Sequence, residues 1–176
     1  FPRRYKRHRR RNWRAVFTKG SVLVVWICPT RSGILSARRR TWKIKMSGIL
    51  LDTNVLSELM RPVPDPRVLA WFSRQGTTRL WISAITKAEI LYGIELLPAG
   101  KRRDALGTAA RQMFEFDFSG GCLAFDEEAA GFYASVVLGR RRAGLTTTTE
   151  DAQIAAIALS RKLPLATRNT RDFARI

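Results

Sequence analysis

The sequence contains very little histidine and cysteine, and this scarcity excludes several kinds of active site. Its one histidine is His8, which excludes acid–base catalysis through a pair of histidines. The two cysteines, Cys28 and Cys122, stand far apart and at no zinc-ligand spacing, which excludes a disulfide framework and a zinc site. A glycine-rich phosphate loop of the Walker type is also missing. This usage is typical of a reducing compartment, and we expect a cytoplasmic protein.

Long apolar runs are missing as well. The longest run near the start, residues 22–28, ends at Pro29 and is far shorter than the roughly 20 residues of a membrane-spanning helix. An arginine-rich stretch precedes this run, as in a signal peptide, but no small-residue cleavage site leads into a mature domain. The sequence therefore predicts no membrane association.

Acidic residues are absent from residues 1–45, which hold 15 lysines and arginines. The rest of the chain carries the other 17 basic residues and all 14 acidic ones, so the net charge of +18 describes mainly this extension. The basic tracts have neither helical nor strand period, and Met46 directly precedes the first regular pattern. We expect residues 1–45 to be non-native upstream translation or disordered; a basic arm that grips nucleic acid is the alternative.

From Met46 onward, short apolar segments alternate with helical patterns. The sequence predicts four strands, at residues 48–51, 80–82, 123–125 and 163–166. Helical patterns separate these strands and no hairpin turn joins them, which indicates a parallel sheet covered on both faces. The predicted fold class is therefore α/β, with a short central parallel sheet flanked by helices.

Three carboxylates are predicted to lie at one edge of this sheet. Asp52 directly follows the first strand, although an Asp there also serves as a helix N-cap. Glu89 lies beside the helix stripe of Ile85 and Tyr92, which should face the core, where an unpaired carboxylate is costly. Asp151 opens an almost wholly apolar helix, a position that the helix dipole alone would also favour. Oxygen ligands of this kind favour Mg²⁺ or Mn²⁺ over zinc.

Three accessory residues accompany the carboxylates. Asn169 follows the last strand, and we expect it to orient a metal-bound water or a neighbouring carboxylate. Asp172 is expected to cap a helix or to act only through water. Thr148, in a threonine-rich loop, either caps the next helix or contacts substrate or metal-bound water. With Asn169 rather than an acid there, we expect about one tight metal site per chain.

Four tracts resemble the motifs of PIN-domain toxins of the VapC family, particularly its FitB-like branch. They read ILLDTNVLSE at 49–58, ISAITKAEILYG at 82–93, EDAQIAA at 150–156 and LATRNTRDF at 165–173. The resemblance spans residues 46–176 and implies a PIN-like three-layer sandwich. It also implies an Mg²⁺- or Mn²⁺-dependent endoribonuclease, the toxin of a toxin–antitoxin pair, with metal held by Asp52, Glu89 and Asp151. Because such proteins usually continue into one more short strand, we expect this chain to be truncated at its carboxyl end.

The expected partners are RNA, an antitoxin that covers the acidic site, and a second copy of the chain. We expect the RNA path to be lined by two basic clusters, which alternatively are only solvated helix ends: Lys101, Arg102 and Arg103, with Arg140, Arg141 and Arg142. The homodimer is expected to use the apolar helices between residues 85 and 113, with Trp71 and Phe114 as exposed aromatics. A non-toxin RNA-processing nuclease and a non-catalytic binding module of the same fold remain alternatives.

Overall fold

A computed structural model describes Leu23–Val25, residues 46–173 and Ile176. The strands are β1 (Leu23–Val25), β2 (Ile49–Leu51), β3 (Leu80–Ser83), β4 (Cys122–Leu123) and β5 (Leu165–Thr167). The helices are α1 (Thr53–Leu59), α2 (Pro66–Ser73), α3 (Ala84–Glu95), α4 (Lys101–Gln112), α5 (Glu127–Arg142), α6 (Thr149–Arg161) and α7 (Thr170–Phe173), and α4 continues into a π-helical turn at Met113–Asp117.

The sheet has the strand order β1-β5-β2-β3-β4. The four strands after Met46 pair in parallel, and only β1 runs antiparallel, beside β5. The predicted α/β class with a central parallel sheet is therefore confirmed. Because parallel strands all end on one side, the segments that follow β2, β3, β4 and β5 meet at the same edge of the sheet.

Two separate cores lie on the two faces of the sheet. Leu50 and Leu51 are adjacent in β2 and point to opposite faces, as successive strand residues must. The Leu50 face packs against α6, with Ile154 and Ile157 fully buried. The Leu51 face packs against α1, α2 and α3, with Leu56 fully buried. The domain is thus the expected three-layer sandwich of helices, sheet and helices.

The glycine at position 48 explains where β2 begins. Gly48 has φ of +128°, and a Cβ there would lie 2.1 Å from the carbonyl oxygen of Arg79. Only glycine therefore lets the chain pass so close to the start of β3. The Ile49 amide then donates to that same carbonyl at 3.0 Å, which sets the register of β2 on β3.

The strand β1 belongs to the basic extension. Leu23 pairs with Thr167 and Val25 with Leu165, so β1 lengthens the sheet at the β5 edge. The pairing concerns these three residues alone, and the expectation that residues 1–45 are non-native upstream translation or disordered stays a prediction. The expectation for the other residues of 1–45, including Cys28, lies outside the described residues. In the parts of the chain that the structure describes, no helix is long and apolar enough to cross a membrane.

The aromatics expected on the surface are in fact part of the core. Trp71 is 2% exposed and Phe114 is 8% exposed, because both belong to the core on the Leu51 face of the sheet. They therefore give no support to the expected homodimer. Tyr92, in α3, and Leu96, its C-cap residue, are the most exposed apolar side chains of that region, at 66% and 65%. The homodimer itself stays a prediction.

Candidate active site

Asp52 lies at the carboxyl end of the central strand β2 and is only 3% exposed. Its amide donates to the carbonyl of Ala166 at 2.9 Å, which continues the pairing of β2 with β5. Its carboxylate oxygen Oδ1 accepts the Thr53 amide at 2.7 Å, so the residue does serve as the N-cap of α1. Capping uses only one of the two oxygens, and the other faces the interior of the site.

Two residues that the sequence did not single out hold the second oxygen of Asp52. The Thr167 hydroxyl donates to Oδ2 at 2.6 Å, and the Asn54 side-chain amide donates to the same oxygen at 2.6 Å. Thr167 is itself fixed by the Asn169 amide at 2.9 Å, and Asn54 accepts the Arg168 amide at 2.9 Å. The end of β5 is therefore tied to the end of β2 through the Asp52 carboxylate.

Glu89 lies in α3, half-buried, and points at the start of α1. The Thr53 hydroxyl donates to its Oε2 at 2.5 Å. Thr53 therefore holds both carboxylates, that of Glu89 through its hydroxyl and that of Asp52 through its amide. The prediction that the side of α3 with Tyr92 faces the core was wrong, because Tyr92 is exposed. The buried stripe of α3 is instead Thr86, Ile90 and Ile94. The apolar residues of α3 lie on most sides of the helix, so their spacing alone does not show which side faces the core.

Asp151 lies in the first turn of α6 and is half-buried. The Thr148 hydroxyl accepts the Asp151 amide at 3.0 Å, which makes Thr148 the N-cap of α6. The same side chain also hydrogen-bonds the Asp151 carboxylate. Of the two roles considered for Thr148, capping is confirmed.

Asn169 and Asp172 interact directly. The Asn169 side-chain amide donates to Oδ2 of Asp172, and the other oxygen of Asp172 lies 3.9 Å from a guanidinium nitrogen of Arg140. Asn169 thus holds Asp172, and its expected role towards a metal-bound water or a carboxylate of the cluster stays a prediction. The Asp172 charge also acts on Asp151, so both residues belong to the same edge of the sheet.

Burial and, after it, neighbouring acidic charges raise the pKa of all three carboxylates. Burial, and secondarily the charges of Asp151 and Glu89, raises the pKa of Asp52 to about 6, against the lowering effect of its hydrogen bonds. Burial, followed by the nearby charges of Asp151 and Glu150, raises the pKa of Glu89. Burial, followed by the charges of Asp172 and Glu150, raises the pKa of Asp151. These acids therefore face a shared space in which negative charge is unfavourable.

The donor set at this edge fits a hard divalent cation. Carboxylate, hydroxyl and side-chain amide oxygens are the ligands that Mg²⁺ and Mn²⁺ prefer, and neither histidine nor thiol joins them here. Among the described residues, however, no three acidic, histidine or cysteine side chains come close enough to hold one metal ion. The chemistry of the donors fits such an ion, while their spacing in this conformation is wider than coordination requires.

The two predicted basic clusters differ in exposure. Lys101, Arg102, Arg141 and Arg142 are exposed, and Arg103 is partly covered beside Glu95, with which it forms an ion pair at 3.0 Å. Arg140 is 1% exposed, because it continues the inward stripe of α5 four residues after Val136. Burial removes Arg140 from any surface that could contact RNA phosphates, so its predicted role there was wrong.

Comparison with known proteins identifies the fold. The PIN domain family model matches residues 49–176. The chain is 43% identical to plasmid stability protein StbB of Pseudomonas syringae pv. tomato and 40% identical to toxin FitB of Neisseria gonorrhoeae, in each case over 71% of this chain and 90% of the relative. It is 38% identical to VapC ribonuclease Y4jK of Sinorhizobium fredii, over 71% of this chain and 89% of that protein.

The solved structures agree with the sequence relatives. The crystal structure of FitAcB from Neisseria gonorrhoeae superposes with a TM-score of 0.65 at 39% identity, covering 71% of this chain and 90% of that one. The sheet and the helices on its two faces therefore have counterparts in a protein of known structure. The chain belongs to the PIN-domain family, with toxins of the FitB and VapC type among its relatives.

Proposed function

We propose that this chain is a metal-dependent endoribonuclease and the toxin half of a toxin–antitoxin pair. The observation that carries the proposal is the buried Asp52 carboxylate, whose pKa is raised to about 6 by burial and then by the charges of Asp151 and Glu89. A carboxylate kept in such a position lowers stability unless a cation binds there. Relatives named toxin FitB and VapC ribonuclease support cleavage of RNA and a role in a toxin–antitoxin system.

Asp52, Glu89 and Asp151 are the residues that would hold the metal, with Asp172 beside them. A bound Mg²⁺ or Mn²⁺ supplies a water nucleophile of lowered pKa and neutralises charge on the phosphate oxygens. The protein groups do the positioning: Thr53 orients Glu89, and Thr167 and Asn54 orient Asp52. Because hydroxyl and amide donors carry no charge, they fix the carboxylates without neutralising them, and the full negative charge stays available to a cation.

Removing one carboxylate charge at a time tests the assignment. Asp52→Asn, Glu89→Gln and Asp151→Asn should each abolish Mg²⁺-dependent cleavage of a mixed RNA pool by the full-length chain. Their effects should not add, because all three act on one site. Glu95→Gln, an exposed change on the same helix as Glu89, is the matched control and should leave cleavage intact. RNA binding without cleavage by the wild type would favour the non-catalytic alternative.

One tight metal site per chain is the expected stoichiometry. The Asn169 amide engages Asp172, so this acid is held by a neutral donor and by the nearby Arg140 rather than pointing freely at the other carboxylates. We expect calorimetry without RNA to give about one tight Mn²⁺ site. Two equally tight sites, or an Asp172→Ala variant that loses metal while Asn169→Ala keeps it, would reverse the proposed order of importance.

The RNA path is proposed to run over the exposed members of the basic clusters. Lys101 and Arg102 lie at the start of α4, and Arg141 and Arg142 lie at the end of α5. Phosphate contacts release counterions, so replacing all four by Gln should flatten the dependence of RNA affinity on salt concentration. An unchanged salt slope would mean that these residues are only solvated helix ends.

The proposed partners are an antitoxin and a second copy of this chain, and the proposed compartment is the cytoplasm, where RNA is available. An antitoxin segment that covers the acidic edge should protect it from metal and RNA together. The exposed Tyr92 and Leu96 side chains of α3 offer an apolar surface for the homodimer. Light scattering at micromolar concentrations tests it: a monomer throughout would remove the homodimer and leave the nuclease proposal standing.

A further inference from the structure

Arg140 is a fully buried cation next to the acidic site. It lies in the last turn of α5 and is 1% exposed, whereas its neighbours Arg141 and Arg142 are exposed on the same turn. Burying a guanidinium costs free energy unless acceptors surround it. The contacts of the Arg140 side chain must therefore explain why an arginine is tolerated at this buried position.

These contacts reach two different segments of the chain. One terminal nitrogen of Arg140 donates to the carbonyl of Arg171 at 3.1 Å, and the other donates to the carbonyl of Thr146. The second nitrogen also lies 3.9 Å from the Asp172 carboxylate. A single side chain therefore joins α5 to the loop before α6 and to α7.

Each of these segments carries an acid of the site. Thr146 precedes Thr148 by two residues, and Thr148 caps α6 and contacts Asp151. Arg171 directly precedes Asp172 in α7. A shift of the Thr146 carbonyl relative to α7 would move the loop that positions Asp151, so the place of this acid depends on what holds the two carbonyls together.

We propose that Arg140 is a positioning residue that ties the loop before α6 to α7, so that Asp151 is held in place, and thereby sets the affinity of the site for divalent metal. A guanidinium presents its donors in a rigid plane, so two carbonyls bound to it are held at one separation. A lysine ammonium carries the same charge without that fixed fork. This inference rests on the proposed function, because it takes the acidic edge to be a metal site.

Metal titration of variants of the full-length chain tests the proposal. Arg140→Lys and Arg140→Gln should both weaken Mn²⁺ binding, measured by calorimetry without RNA, by about 10–100-fold, the usual effect of losing a residue that orients metal ligands. Arg111→Gln removes the same charge from an exposed arginine of α4 and should leave Mn²⁺ affinity unchanged. Thermal unfolding in EDTA, recorded for every variant, shows whether the titrated protein is folded.

The alternatives give different results. If Arg140→Lys keeps the wild-type affinity, charge rather than the fork is sufficient and the proposal is wrong. If Arg140→Gln binds Mn²⁺ more tightly, or if both variants lose only thermal stability, the proposal is also wrong. Should Arg140→Gln fail to fold, Arg140→Lys decides alone. Failure of the wild type to bind Mn²⁺ would instead overturn the proposed function.

Discussion

The raised pKa of Asp52 predicts that the metal-free protein loses stability as pH rises. Burial, helped by the charges of Asp151 and Glu89, raises this pKa from 3.8 to about 6 in the folded state. The unfolded chain therefore releases the Asp52 proton at lower pH than the folded chain does. Between these two pKa values the folded state holds more protons, so the free energy of unfolding must fall as pH increases.

The size of the effect follows from the shift. A difference of about two pH units, at about 1.4 kcal/mol each, gives a total loss of about 3 kcal/mol from Asp52 alone, most of it between pH 4 and pH 7. Burial also raises the pKa values of Glu89 and Asp151, so their contributions have the same sign. The pKa of Asp126 is lowered, first by the Ala129 amide, so its opposite contribution falls below this pH range.

Urea unfolding in EDTA, repeated from pH 4 to pH 7.5, measures this slope. Asp52→Asn should remove the largest part of it, whatever its effect at a single pH, because the comparison between pH values cancels the lost hydrogen bonds from Thr167 and Asn54. Saturating Mn²⁺ should oppose the slope, because the metal binds the ionised carboxylates and stabilises the fold more at high pH. A flat profile in EDTA, or one identical in Asp52→Asn, would refute the reasoning.

Three further outcomes are expected. Thr53→Val removes the hydroxyl that donates to Glu89 and should weaken Mn²⁺ binding about 10-fold by calorimetry, whereas Thr53→Ser should not. Leu56→Ala empties a fully buried position and should lower the free energy of unfolding in urea by about 2–5 kcal/mol. A chain that starts at Met46 lacks β1, so mass spectrometry should show faster amide exchange in Leu165–Thr167; unchanged exchange would mean that β1 does not protect this edge.

Much of the architecture was predictable because it depends on local patterns. Short apolar runs that alternate with helical segments leave few arrangements other than a covered parallel sheet. The chain direction in such a sheet then places Asp52 at the carboxyl edge. Strand bounds were off by at most two residues: β5 begins at Leu165, after Pro164, and β4 ends at Leu123. The apolar runs predict burial better than they predict strand pairing.

The residues that orient the carboxylates were not predictable from local patterns. Thr167 lies 115 residues from Asp52 in the sequence, and a threonine at the end of a buried strand has no feature that marks it as a donor. Arg140 was misassigned because three arginines in a row look alike. The helical period held a usable signal, since residue 140 continues the buried positions Ala129 and Val136, but the accepting carbonyls of Thr146 and Arg171 become visible only in three dimensions.

The carboxylates of Glu58 and Asp52 are equally buried, but among the described residues the partners of Glu58 include charged residues and those of Asp52 do not. Glu58 is 3% exposed, and Arg168 and Arg61 neutralise its charge while the Asp65 amide donates to its other oxygen. Asp52 is also 3% exposed, but all of its hydrogen-bond partners among the described residues are uncharged. An arginine beside Asp52 would stabilise the fold and compete with any metal ion. Neutral donors instead hold the oxygens in place and leave their charge uncompensated, so the cost in stability would be relieved by a proton at low pH or by a bound cation.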